Sequence, residues 1–143
     1  MNITELKNYA FTIQVPGFKK INYDGLYIQY KELSNTQQED FLYKLVRSAL
    51  SDNEHQHFEI KFELHKDGRV HCHGTVYQLT ETLLNEFKES VCFQIGVKSP
   101  KQKTEICFCI PILFSAGWQL YCNKDQDSDD ENRYSKYLFK GKN

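Results

Sequence analysis

The chain has 143 residues, 40% hydrophobic and 26% charged, which fits one globular domain and excludes fibrous or disordered classes. Eighteen Lys and Arg stand against nineteen Asp and Glu, so the net charge of −1 does not itself point to a polyanionic partner. No apolar run approaches the ~20 residues of a membrane helix, and residues 1–20 show neither an h-region nor a secretory cleavage site.

Tyr9–Val15 alternates as a strand, with Phe11, Ile13 and Val15 to one face and Thr12 and Gln14 to the other. Pro16-Gly17 ends it, and Leu26–Tyr30 reads as a short second strand. Asn35 or Thr36 caps a helix to about Leu50, with Phe41, Leu42, Leu45, Val46 and Ala49 at helical spacing. In His57–Leu64, Phe58, Ile60, Phe62 and Leu64 alternate with Glu59, Lys61 and Glu63. A turn at Lys66-Asp67-Gly68 leads to a partner strand, Arg69–Leu79. Thr80 caps a second helix whose apolar face holds Leu83, Leu84 and Phe87. Thr104–Pro111 is a further strand, and Ser115 caps a helix over Ala116–Lys124. Asp125–Glu131 packs five acids into seven residues, a solvated loop. Tyr134–Lys140 reads as a short amphipathic segment. Five cysteines, an odd number with no C-x-x-C pair, fit a reducing compartment better than a disulfide framework or a structural zinc site. These elements define a single α+β domain over residues 1–143, a central antiparallel sheet of about five strands flanked by helices.

All five histidines lie between His55 and His73. His71 and His73 are two apart on a strand, so both imidazoles emerge from one face. The hairpin register decides what stands opposite them. A two-residue Asp67-Gly68 turn would oppose Glu63 to Cys72 and push a carboxylate among apolar side chains. A three-residue loop, with Gly68 left-handed at its third position, opposes Glu63 to His71 and Lys61 to His73 and keeps both hydrophobic patterns intact. Glu63, His71 and His73 then converge, and two imidazoles with one carboxylate can hold a divalent ion with positions left open. His65 shares that face as a bystander, and His55 and His57 read as an exposed strand entrance.

These residues resemble the HUH endonucleases, named for a His–hydrophobic–His strand that here is His71-Cys72-His73. Glu63 to His73 (E-L-H-x-x-G-x-x-H-x-H) is similar to the metal motif of the replication-initiator (Rep) proteins of small circular single-stranded DNA viruses, of geminivirus or circovirus type. Phe11-Thr12-Ile13 matches the family's first motif loosely. Tyr121-Cys122-Asn123-Lys124 fits its third, a Y-x-x-K on a helix. A second Y-x-x-K stands at Tyr137–Lys140, where Tyr137 reads either as an alternative nucleophile with Lys140 or as an aromatic packing a C-terminal helix. Tyr121 follows His73 by 48 residues and Tyr137 by 64; the shorter gap is nearer the family's separation. No G-x-x-x-x-G-K-[ST] loop occurs, so the helicase that usually follows in viral Reps is absent from this sequence.

The resemblance implies an HUH fold with an RRM-like sheet. It also implies nicking and joining of an origin stem-loop in single-stranded DNA for rolling-circle replication. Tyr121 would form a 5′-phosphotyrosine link, assisted by Lys124, with Mg²⁺ or Mn²⁺ at Glu63, His71 and His73. A viral chain of this kind would work in the host nucleus. Phe11, Thr12 and Gln14, with the basic stretch Lys98, Lys101 and Lys103, are the expected DNA contacts. Lys19 and Lys20 form another basic pair, with Tyr9, Phe18, Tyr23 and Tyr77 as candidate stacking platforms. Outside Asp125–Glu131 the chain carries 18 bases against 14 acids, so overall neutrality does not oppose DNA binding. Two other readings are an HUH single-strand transposase, which usually has Gln where Lys124 stands, and a non-catalytic RRM-like binding module, which would place aromatics where Glu63, His71 and His73 lie.

Overall fold

The computed structural model describes residues 5–50, 58–98, 103 and 105–112, together with the backbone of 137–140. His55, His57, Lys101, Tyr121, Cys122, Lys124, the helix expected from Ser115 and the acidic run lie outside these residues. The described chain is α+β. Its elements are β1 (Lys7–Ile13), β2 (Lys20–Tyr23), β3 (Leu26–Gln29), α1 (Asn35–Ala49), β4 (Phe58–Leu64), β5 (Val70–Leu79), α2 (Glu81–Ile95), β6 (Cys107–Pro111) and β7 (Tyr137–Lys140). Five strands form one antiparallel sheet in the order β6-β1-β5-β4-β7, and β2 and β3 form a separate hairpin.

Local chemistry accounts for most boundaries. The α1 cap is Ser34, one residue ahead of the expected Asn35. Its hydroxyl accepts from Gln37 N–H (3.1 Å) while the Gln37 carboxamide accepts from Ser34 N–H (2.9 Å), a reciprocal box; the Gln38 carboxamide that Asn35 would need for the same box is bound to Tyr30 O and Val70 N–H. Thr80 caps α2 as expected, and Gly96 ends it in the left-handed conformation. The strand expected from Thr104 begins only at Cys107, because Glu105 and Ile106 are still helical. The β2 strand was not foreseen: among Lys20, Ile21, Asn22 and Tyr23 only Ile21 is buried, so the segment carries little hydrophobic pattern. Tyr137–Lys140 is a strand at the sheet edge, not a helical segment.

The helices cover one face of the sheet. Phe11, Ile13, Ile60, Phe62, Cys72 and Val76 project there against Phe87, Val91, Leu42 and Val46. Phe11 and Phe87 meet edge to face, with ring centroids 5.9 Å apart. Gly74 makes this possible. A β-carbon there would collide with the Glu59 carbonyl and come within 2.6 Å of the Phe11 ring, so only glycine lets β4, β5 and that ring close up.

The opposite face is polar, as expected, and its centre is buried. Glu59, Lys61, Glu63, His73 and Thr75 are each at most 9% exposed. A buried polar layer therefore lies across β4 and β5, and the histidine motif is part of it.

Candidate metal centre

The hairpin has the three-residue-loop register. Glu63 stands opposite His71, Lys61 opposite His73 and Leu64 opposite Val70. His65 N–H donates to Arg69 O at 2.7 Å, and Gly68 has φ 87°, the left-handed position that the loop requires. Asp67 rigidifies the turn: its carboxylate accepts from Arg69 N–H (3.1 Å) and from Arg69 Nε (2.8 Å). The Arg69 backbone N–H holds the Asp67 carboxyl below its usual pKa; slight burial works against this and the guanidinium assists.

Two side chains from outside the hairpin fix where β5 begins. The buried Tyr30 hydroxyl donates to Val70 O (2.6 Å), and the buried Gln38 carboxamide accepts from Val70 N–H (2.9 Å). The same Gln38 donates to Tyr30 O (2.9 Å), and Asn35 donates to Gly68 O (2.8 Å). The start of α1 is thus tied to the loop and to the residue preceding His71. Sequence reading did not find Tyr30 or Gln38, because the pairing spans 32 to 40 residues and leaves no local pattern.

One donor atom each from Glu63, His71 and His73 lies within 4.8 Å of the others, the sole such group among the described residues. Glu63 Oε1 is 2.9 Å from His73 Nε2 and 3.3 Å from His71 Nε2. The rings of His71 and His73 stand edge to face at 5.0 Å, and His65 stacks on His71 at 4.1 Å. Burial lowers the His65 pKa first, with His71 and Arg69 adding to the effect.

The donor set fits a divalent cation. Two nitrogens and a carboxylate oxygen converge, and a hydroxyl that can partner either tautomer of His73 is present. Thr12 Oγ1 lies 2.8 Å from His73 Nδ1. A carboxylate only accepts, so with no ion between them His73 Nε2–H donates to Glu63 Oε1 at 2.9 Å and the Thr12 hydroxyl donates to Nδ1; with Thr12 accepting, the proton moves to Nδ1 and Nε2 is free to face a cation. Thr12, expected as a DNA contact, is hydrogen-bonded to this imidazole. Its position opposite His73 on β1 is the signal that could have revealed this role.

Lys61 adds a charge that the motif does not require. It is 0% exposed, and its Nζ lies 3.7 Å from Glu63 Oε2. That ammonium has no hydrogen-bond partner, and neither has Glu59 Oε2. A fully buried lysine against the carboxylate of a cation site is uncommon, since a buried ammonium needs a paired anion to offset its desolvation.

The other expected residues are dispersed. Phe11 is a core side chain, 1% exposed on the helix face, so it does not reach DNA. Tyr9 is likewise buried at 5%, and the Tyr23 hydroxyl is bound to Asp40 at 2.8 Å. Lys103 pairs with Glu89 at 2.8 Å, whereas Lys98 is exposed. Gln14 lies two residues beyond Thr12 on the same face and lines a cavity of about 300 Å³. The β7 register sets Tyr137 opposite Lys61, which faces His73 across the other edge of β4. Directly opposed residues share a sheet face, so Tyr137 falls on the face of the metal centre. Lys140, three residues on in a strand, falls on the other face.

No family model matches the sequence, and no curated protein matches it. Among solved structures, the fold resembles the N-terminal nuclease domain of non-structural protein 1 of minute virus of mice. The match has 11% identity over 95% of this chain and 73% of that one, with a TM-score of 0.38, too slight a likeness to establish a common fold. The described residues contain no helix long and apolar enough to cross a membrane.

Proposed function

We propose that the chain is a metal-dependent nuclease domain of the HUH type, cutting single-stranded DNA by tyrosine transesterification as replication initiators do. One observation carries this reading: Glu63, His71 and His73 converge in a register fixed by Gly68, with Thr12 hydrogen-bonded to the imidazole of His73. Of the two expected ions, Mn²⁺ suits two nitrogen donors better than Mg²⁺, which prefers oxygen. When bound, the ion would polarise a phosphate oxygen and offset charge that builds on it during displacement.

The chain's own residues do the rest. Glu63 and the two imidazoles fix the point at which the phosphate is presented, and the buried layer around them excludes water that would compete with a phenol. A tyrosine phenol gives up its proton and its oxygen attacks phosphorus; the P–O bond to the 3′ oxygen breaks and that oxygen takes up a proton, so the step is proton-neutral overall. The products are a 5′-phosphotyrosine link and a free 3′-OH, and reversal of the step rejoins the strands without ATP. The sequence motif favours Tyr121 as nucleophile, with Lys124 three residues on. Tyr137 is supported by its register beside Lys61. If the nucleophile is Tyr137, the helical Y-x-x-K arrangement does not apply, since Lys140 falls on the other face.

The test is a covalent-adduct assay on denaturing gels with a single-stranded hairpin oligonucleotide and Mn²⁺. Adduct lost in Tyr121→Phe and retained in Tyr137→Phe assigns Tyr121, and the reverse assigns Tyr137. Adduct formation by His71→Ala at the wild-type level would refute the metal role, and no adduct from the wild type would refute the nuclease reading.

A further inference from the structure

The cavity at the end of β1 is lined by none of Glu63, His71 and His73. Thr12, which holds His73, and Gln14, which lines the cavity, are two residues apart on one side of the strand, about 7 Å along it. That step is close to the length of one unpaired nucleotide. The cavity walls are Gln14, Pro16, Lys19, Arg69, Val97 and Ile106, and Glu105 also lines it.

The lining is mixed in an informative way. Pro16, Val97 and Ile106 supply flat apolar surface. Lys19 is anchored by Gly96 O (3.0 Å), and Arg69 by Val15 O (2.6 Å) and the Asp67 carboxylate (2.8 Å), so both cations are held in place rather than sweeping through solvent. Glu105 would repel a phosphate yet accept a hydrogen bond from an exocyclic amine. The Gln14 carboxamide presents a donor and an acceptor side by side, which complements the N6/N7 edge of adenine. The chain then turns at Pro16-Gly17 to Phe18, a ring 74% exposed with the Lys31 ammonium 4.1 Å above it. Farther along the hairpin, Tyr27 is 68% exposed with Lys20 5.6 Å from its ring centre. Exposed rings each accompanied by a lysine are the features that single-stranded polynucleotides use, the ring stacking a base and the ammonium meeting its phosphate.

We propose that this cavity takes an adenine base of the unpaired strand next to the phosphate that an ion at Glu63, His71 and His73 would hold, and that Phe18 stacks the following base. The assignment rests on the nuclease reading for its strand but makes Gln14 a specificity residue that no metal motif implies.

The test is fluorescence anisotropy with labelled dA10, dT10 and the dA10·dT10 duplex in EDTA, run beside the Mn²⁺ adduct assay. The wild type should bind dA10 at least about fivefold tighter than dT10, the lower end of what a bidentate base contact provides, and tighter than the duplex. Gln14→Ala should equalise dA10 and dT10. Phe18→Ala should weaken both by about tenfold, as loss of one stacked base does. Unchanged melting temperatures of both variants would show that the fold is intact. Adduct formation without a Gln14-dependent preference, or preference for the duplex, overturns the cavity assignment and leaves the nuclease reading standing. A Gln14-dependent dA10 preference without adduct supports the cavity and overturns the catalytic reading.

Discussion

Replacing Lys61 by methionine isolates the buried ammonium, because Met keeps most of the volume and removes the charge. At 3.7 Å, the Lys61–Glu63 attraction is about 4–5 kcal/mol at an effective dielectric near 20. Desolvation of an ammonium without hydrogen bonds cancels part of that. Removing one partner leaves the other buried without its cation, so Lys61→Met should lose about 3–5 kcal/mol in urea unfolding with EDTA present. A divalent ion and Lys61 draw on the same carboxylate. Removing Lys61 should therefore tighten Mn²⁺ binding, measured by titration calorimetry, by about tenfold, or 1.4 kcal/mol, roughly a third of the gross attraction. By linkage the stability deficit must shrink by the same amount at saturating Mn²⁺. The Lys61→Met/Glu63→Gln double variant should lose less than the two single losses added together, by about 0.5–3 kcal/mol. An unchanged Mn²⁺ affinity with an equal deficit in EDTA and Mn²⁺ would refute the shared-carboxylate argument.

Four shorter predictions complete the set. Mn²⁺ at 100 times its Kd should stabilise the wild type by about 2.7 kcal/mol, and His71→Ala should show no such gain in a thermal-shift titration. Thr12→Val, which removes the oxygen facing His73 Nδ1, should weaken Mn²⁺ binding about 10–100-fold in calorimetry. Gly74→Ala should cost about 1–3 kcal/mol or more in urea unfolding, because the new methyl meets the Phe11 ring and the Glu59 carbonyl. Asp67 has its folded pKa depressed, so its stabilising contribution is complete above the unfolded value near 4 and is lost as pH falls through the lower folded value; Asp67→Asn should flatten the acid limb of stability against pH over that window.

The hairpin was legible because two constraints agreed. Alternation in β4 and β5 allowed one face assignment, and Gly68 selected the loop that satisfies it, so the opposition of Glu63 to His71 followed before any coordinates. The α2 cap and the apolar faces of both helices were readable for the same reason: the pattern is local. The Tyr30–Val70 and Gln38–Val70 bonds were not, since nothing within a turn or a strand of either residue marks a partner 32 to 40 positions away. Tyr137–Lys140 read only as part of a short amphipathic segment, because a run as brief as Tyr-Leu-Phe-Lys does not separate the helical from the strand period.

The least legible feature has the most bearing on function. Alternation shows which residues share a face but not whether that face is wet, so it placed Glu59, Lys61 and Glu63 on the polar side of the sheet and left their burial open. They are buried, and that changes the electrostatics of the centre. In water, the attraction of Glu63 for a cation would be screened by a dielectric near 80, and the two imidazoles would gain little from its company. Within a buried layer the same carboxylate acts at full range on His71, His73 and Lys61 together. The cost of burying it must be met by a cation, and Lys61 is the one that the chain itself supplies. Lys61 therefore does for the protein without metal what a divalent ion would do for the protein with it. On this argument the centre folds without metal and exchanges one cation for another when metal arrives.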